Sequence, residues 1–309
     1  MVTFNLSYEN TISLEQRVVF EVAARILGTF LTDSTTVDIH IVGTSGLNGG
    51  AAVGGAVPIF HQVSYGVLTE YLAQDASSFI DEQGVLHLQD GNTVDLSAYG
   101  EVVDGNTKIL LTTAQAKALG MDQALLLGNG QSNGSGNGNT WDRDIVDTTG
   151  LDGYILINQD FDWNTDVLRM SEAAEGTLDA LSMALHEMLH IMGFVSGIDG
   201  TIEFNELFSG KTQVEGATLL DLFRFSAEST TLENPDGSVS TITEGEDAYL
   251  SADGGETSLG DFATGQGGDG YQASHWKRMQ VALGIMDPTL AYQERLSNAE
   301  RDLQALDLL

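Results

Sequence analysis

Residues 178–193 read Leu-Asp-Ala-Leu-Ser-Met-Ala-Leu-His-Glu-Met-Leu-His-Ile-Met-Gly, with no proline and no glycine before Gly193. So unbroken a run of good helix formers predicts a helix. Thr177 stands as its N-cap, and Asp179 falls in the first turn, where a carboxylate suits the helix dipole. Helical spacing then governs what the side chains can do together. His186 and His190 are four residues apart, so they project from one face, one turn above the other. Two imidazoles so placed can hold a single Zn2+ at about 2.0–2.1 Å each. Glu187, beside the first of them, can reach a water at that metal without ligating it and can take its proton. Burying these groups side by side with no metal would carry a large desolvation cost. Histidine is scarce, six in the whole chain, and two of the six flank this glutamate at the spacing of a metal-binding helix.

The rest of the composition narrows the alternatives. Twelve basic residues against forty-five acidic ones leave a net charge of −33. Such a field repels polyanions, which excludes nucleic acid and anionic membranes as partners and reads otherwise as a solubility surface. No apolar run is long enough to cross a bilayer. The chain has no cysteine, which removes disulfides, thiolate zinc ligands and a cysteine nucleophile together. With 309 residues it can bury a sizeable core. Residues 1–7 show neither a basic n-region nor an apolar h-region.

Several segments have a legible local pattern. Ser13-Leu14-Glu15-Gln16 forms a capping box ahead of a helix whose apolar side would hold Val18, Val19, Val22, Ile26 and Phe30. Residues 37–42 alternate as a half-buried strand with Val37, Ile39 and Ile41 on one face. A second helix is expected over Tyr65–Asp75, and short strands and turns over 79–108. Residues 128–139 are nearly all Gly, Asn and Ser and read as a loop. Asp142, Asp144, Asp147 and Asp152 follow in a setting that could hold Ca2+, although their spacing is not that of an EF-hand. Residues 154–158 read as a buried strand, 219–225 as a short helix and 296–309 as an amphipathic helix. The order of elements predicts an α/β (α+β) fold with two parts. Residues 1–193 form a mixed-sheet subdomain carrying the key helix; residues 194–309 form a loop-rich, mainly helical subdomain, with a cleft between the two.

Gly193 lies three residues after His190, where a positive φ would end the helix and turn the chain. His186-Glu187-x-x-His190-x-x-Gly193 resembles the opening of the metzincin signature, which implies a third zinc ligand three residues further on; that position is Ser196, a poor donor, so the ligand must come from further along. His275 is the only later histidine; Glu206 competes with it, and Glu203, Glu215, Asp199 and Asp221 are further candidates. The elements His186-Glu187-x-x-His190-x-x-Gly193-Phe194, Ser274-His275-Trp276 and Gly284-Ile285-Met286-Asp287-Pro288 resemble the leishmanolysin-like branch of the metzincin zinc metalloproteases. The resemblance is specific over residues 177–198 and 272–290 and only general elsewhere. It implies that His275 is the third ligand, that Met286 sits in a turn forming an apolar floor below the metal, and that 197–274 is an insertion. Leishmanolysins are rich in disulfides, whereas this chain has no cysteine, so other contacts must hold the insertion.

The implied function is zinc-dependent hydrolysis of peptide bonds in proteins by one catalytic domain over 1–309, placed outside the cell or in its envelope. The strand at 154–158 would pair with an extended substrate. The competing expectation is a non-catalytic, calcium- or surface-binding module that keeps a metzincin-like fold.

Overall fold

The computed structural model describes residues 1–121, 150–168, 172–206, 212–232, 234 and 237–309. Asp142, Asp144 and Asp147, with the stretch 128–139, lie outside the described residues.

The first sheet is built from β1 (Thr3–Tyr8), β2 (Thr36–Thr44), β3 (Gly54–Pro58) and, much later in the chain, a strand over Gly153–Asn158. Helix α1 (Leu14–Phe30) connects β1 to β2 and makes their pairing parallel, as a helical crossover requires. The capping box forms as the sequence predicts: Gln16 N donates to Ser13 Oγ, and Ser13 N donates to Gln16 Oε1. The buried stripe of α1 runs along Val19, Phe20, Ala23 and Leu27, while Val18 and Phe30 face solvent. Expecting Val18 and Phe30 inside is corrected by the 100° step, which carries them round to the outer face. In β2, Val37, Ile39 and Ile41 are all fully buried, as the alternation predicts.

A second module follows. It comprises β4 (Phe60–Ser64), α2 (Tyr65–Asp75), α3 (Phe79–His87), β5 (Val94–Ala98), β6 (Glu101–Asn106), β7 (Lys108–Thr112) and α4 (Thr113–Ala118). Helix α2 has the bounds expected for it. Residues 79–87 are helical, not strands and turns, because Ser78 and Asp81 make a reciprocal capping box there. The strand Gly153–Asn158 is β8, and the sheet order is β1-β2-β8-β3 with only β3 antiparallel. β8 is therefore interior, and the edge strands are β1 and β3, which corrects the expectation that 154–158 offers a free edge. Helix α5 (Ala180–Ile191) packs on α1 and on β3 and β8.

Beyond Gly193 the chain is mainly short strands and turns rather than helices. A hairpin pairs Glu203–Glu206 with Thr212–Glu215, and a three-stranded sheet joins Arg224–Ser226, Ala248–Leu250 and Gly260–Phe262. Residues 220–223 make one turn of 3-10 helix, and among the described residues after Gly193 the single α-helix is α6 (Glu300–Asp307). The expected helix over 296–309 is thus shortened to Glu300–Asp307. Ser240–Thr241 pairs with β5 in parallel, so this half is knitted into the first one. One apolar core runs through both, from Val37 and Ile39 of β2 to Phe262, Trp276 and Leu308. The whole is a mixed α/β fold with several small sheets. Among the described residues no helix is long and apolar enough to cross a membrane.

Candidate metal centre

Helix α5 starts two residues later than its sequence suggests. Asp179 is the N-cap: its Oδ2 accepts from Ser182 N at 3.0 Å and Ser182 Oγ at 2.8 Å. Thr177 instead turns its hydroxyl to Ala174 O. Asp179 Oδ1 accepts from Arg295 Nη2 at 2.6 Å and Asn164 Nδ2 at 3.2 Å, and the carboxylate is fully buried. Replacing Asp179 with Ala removes a cap and strands a mostly buried guanidinium. Denaturant unfolding should therefore show a loss of about 3–5 kcal/mol; a loss below about 1 kcal/mol, that of an ordinary cap, would contradict the paired role.

At its other end α5 stops on Gly193, whose φ of +117° admits a residue without Cβ and bends the chain back. A Cβ there would also stand 2.2 Å from the Gln115 side chain. The turn brings Phe194 N to Leu189 O and buries the Phe194 ring against Trp276, centroid to centroid 5.0 Å.

His186 and His190 project from α5 with ring centroids 4.8 Å apart, and His275 lies 5.0 Å from each. His275 is presented by an extended segment that pairs with the Gly260–Phe262 strand: Ala263 N donates to His275 O, and Lys277 N donates to Asp261 O. The three rings meet so that one ligand atom from each lies within 4.8 Å of the others. Among the described residues this is the only group of metal-ligating side chains so arranged.

Each imidazole is fixed by its second nitrogen. His186 Nδ1 meets Ile285 O at 2.8 Å, His190 Nδ1 meets Phe194 O at 2.8 Å, and His275 Nδ1 meets Gln272 O at 3.1 Å. A carbonyl only accepts, so every Nδ1 carries the proton and every Nε2 is left as a bare lone pair. The Nε2 atoms of His186 and His275 are 3.1 Å apart. Two unprotonated nitrogens that close repel, unless a cation joins them. Tetrahedral zinc with Zn–N of 2.0–2.1 Å puts its ligands about 3.4 Å apart, so the donor set fits that ion. Burial keeps all three rings neutral: His186 is lowered, His275 is well below the ordinary range, and His190 falls to about 3, helped by His186.

Glu187 lies on the same helix and is almost fully buried, and burial pushes its carboxyl up to about 8. The edge strand β3 passes directly over it. An added Cβ on Gly54 would stand 2.7 Å from Glu187 Oε1 and 3.0 Å from Met183 Cγ, so only glycine lets the strand come this close.

Ser196, three residues past Gly193, is tied to the segment that carries His275. Ser196 N donates to Ser274 Oγ at 2.8 Å, and Ser196 Oγ donates to Asp221 Oδ1 at 2.6 Å. Asp199 accepts from Ala273 N at 2.6 Å, from Ser274 N at 2.8 Å and from the Ser274 hydroxyl. The two aspartates considered as rival ligands, Asp221 fully buried and Asp199 partly so, thus clamp the chain after Gly193 to the segment that carries His275, and burial raises Asp199 to about 6. Glu203 and Glu215 oppose each other across the hairpin that Glu206 ends, and Glu215 pairs with Lys108 at 3.6 Å. Met286 is fully buried, and its carbonyl accepts from Trp276 N at 2.9 Å.

Of the calcium candidates, Asp152 is described. It is fully buried, and Oδ2 accepts from Lys117 Nζ at 2.7 Å and from Asp38 N at 2.7 Å. Lys117 thus places a positive charge directly on this carboxylate.

The chain matches no family model, and no curated protein or solved structure is significantly similar to it. The resemblance to leishmanolysin-like proteases therefore stands on the motifs alone. A buried three-histidine cluster able to chelate a divalent metal stands on the coordinates. Sequence reasoning missed the carbonyls of Phe194, Gln272 and Ile285, which hold the rings, because any residue type supplies a carbonyl. It also missed Gly54, whose importance lies in what sits beneath it.

Proposed function

We propose that this chain is a zinc-dependent endopeptidase whose metal is held by Nε2 of His186, His190 and His275. The observation that carries the reading is the convergence of three neutral, Nδ1-anchored imidazoles beside Glu187, a carboxylate that is not one of the ligands. Three protein donors leave a tetrahedral ion one open position, the pattern of catalytic rather than structural zinc. A zinc ion bound there supplies Lewis acidity, acidifying water toward about 7 and polarising a carbonyl. Glu187 acts as general base, taking a proton from the water and passing it to the departing amine.

Strand β3 is hydrogen-bonded on one side by β8 and ends the sheet on the other. An extended polypeptide adding to that free edge would run past Glu187. Its backbone, not its side chains, would provide most of the hold, which suits a protein substrate. Met286, in its tight turn, would form the apolar floor below the metal. Residues 1–193 and 194–309 would flank the cleft, in the manner of a metzincin, and secretion fits the acidic surface. Incubation of the zinc-loaded chain with casein should release fragments with new amino termini, read by mass spectrometry. Casein left intact by a chain carrying one equivalent of zinc would contradict the reading.

A further inference from the structure

The fully buried carboxylate of Asp302, on α6, lies outside everything assigned so far. It receives three hydrogen bonds and all of them come from the two segments that complete the metal centre. Trp276 Nε1 donates to Oδ1 at 2.8 Å, Met286 N to Oδ1 at 3.1 Å and Ile285 N to Oδ2 at 2.6 Å. Trp276 follows the third ligand directly. The Met286 amide belongs to the same peptide unit as Ile285 O, which accepts from His186 Nδ1 at 2.8 Å. The connection is continuous: Asp302 carboxylate, Met286 N–H, Ile285 C=O, His186 Nδ1–H. A carboxylate on the far nitrogen of a ligating histidine orients the ring and raises its donor strength, and here one peptide is interposed. The fit is close enough that a Cβ on Gly284 would stand 2.5 Å from both carboxylate oxygens. Trp276 N also donates to Met286 O at 2.9 Å, so the two segments are bonded to each other as well as to Asp302.

We propose that Asp302 is a positioning residue of the metal centre, orienting and polarising His186 through the Ile285–Met286 peptide and holding the segment that carries His275. The inference rests on the three-histidine centre and not on peptide hydrolysis, so it is tested without a substrate.

The test is competitive titration of Zn2+ against a chromogenic chelator, with the visible spectrum of the Co2+-loaded protein as a second readout. Asp302→Asn keeps the shape but places an amide against three donors. It should weaken Zn2+ binding about 10–100-fold, the range for lost outer-shell partners, and shift the cobalt bands. Asp81→Asn, which removes a carboxylate capping α3 away from the histidines, controls for lost stability and should change neither readout. A folded Asp302→Asn protein with wild-type affinity and spectrum would overturn the proposal. Should that variant not fold, Trp276→Phe removes one of the three donors to Asp302 and keeps a ring; it should weaken binding about 3–10-fold, less than loss of the whole carboxylate. Unchanged affinity there would likewise overturn it. A wild-type chain that binds zinc but cleaves nothing would sink the peptidase reading alone, whereas one that binds no zinc would sink both.

Discussion

Replacing Glu187 with Ala is expected to leave close to one equivalent of zinc bound and to lower casein cleavage by about 10²–10⁴-fold, the contribution of a positioned general base. The two halves of this result come from separate features. Metal retention follows because the three anchored Nε2 atoms form the donor set and Glu187 is outside it. The activity loss follows because Glu187 is the one carboxylate on the histidine-bearing turn of α5, held under Gly54 of the edge strand. Removing it also removes a buried acidic group that raises the cost of folding, so the variant should be no less stable than the parent. Metal analysis beside a cleavage assay reads both outcomes. Full cleavage by Glu187→Ala would end the mechanism while leaving the metal site intact.

His275→Ala should behave in the opposite way, losing metal and activity together. Two imidazoles on one helix turn remain, but the ion loses one of its three protein donors, which should cost more than about 100-fold in affinity, the upper end for a partner that only supports a ligand. His186 Nε2 is then left without the neighbour that now lies 3.1 Å away. Isothermal titration with Zn2+ measures the loss. Glu206→Ala, the replacement at the rival position, should bind zinc as the parent does. The reverse pattern would reassign the third ligand.

How much of this was readable in advance depended on whether a feature was local. Helix α5, its two histidines and the stop at Gly193 follow from a few consecutive residues, and so do the Ser13 capping box, the alternation of β2 and the bounds of α2. The capping box at Ser78 escaped notice because Asp81, rather than Glu or Gln, completes it, and Gly84 weakens the helical pattern. Strand β3 begins Gly54-Gly55, with no side chains to give a period, and only pairing with β8 makes it a strand. The second half of the chain was misread as mainly helical for a related reason. Strands as short as Ser240–Thr241 and Ala248–Leu250 have no room for an alternation and exist only through partners distant in sequence. The aspartates were visible but ambiguous. Among forty-five acidic residues, nothing local marks Asp199, Asp221 and Asp302 as the ones whose carboxylates gather buried amides. His275 was reachable by resemblance, since its neighbours Ser274 and Trp276 form a motif, and the geometry now gives those neighbours work. Ser274 is gripped by Asp199 and Ser196, and Trp276 by Asp302.

The most direct test of the central claim is casein cleavage by one preparation measured as isolated, after dialysis against 1,10-phenanthroline, and after return of one equivalent of Zn2+. Cleavage should disappear with the zinc and return with it, in proportion to the metal bound. Cleavage that persists in a preparation shown by elemental analysis to hold no zinc would contradict the account.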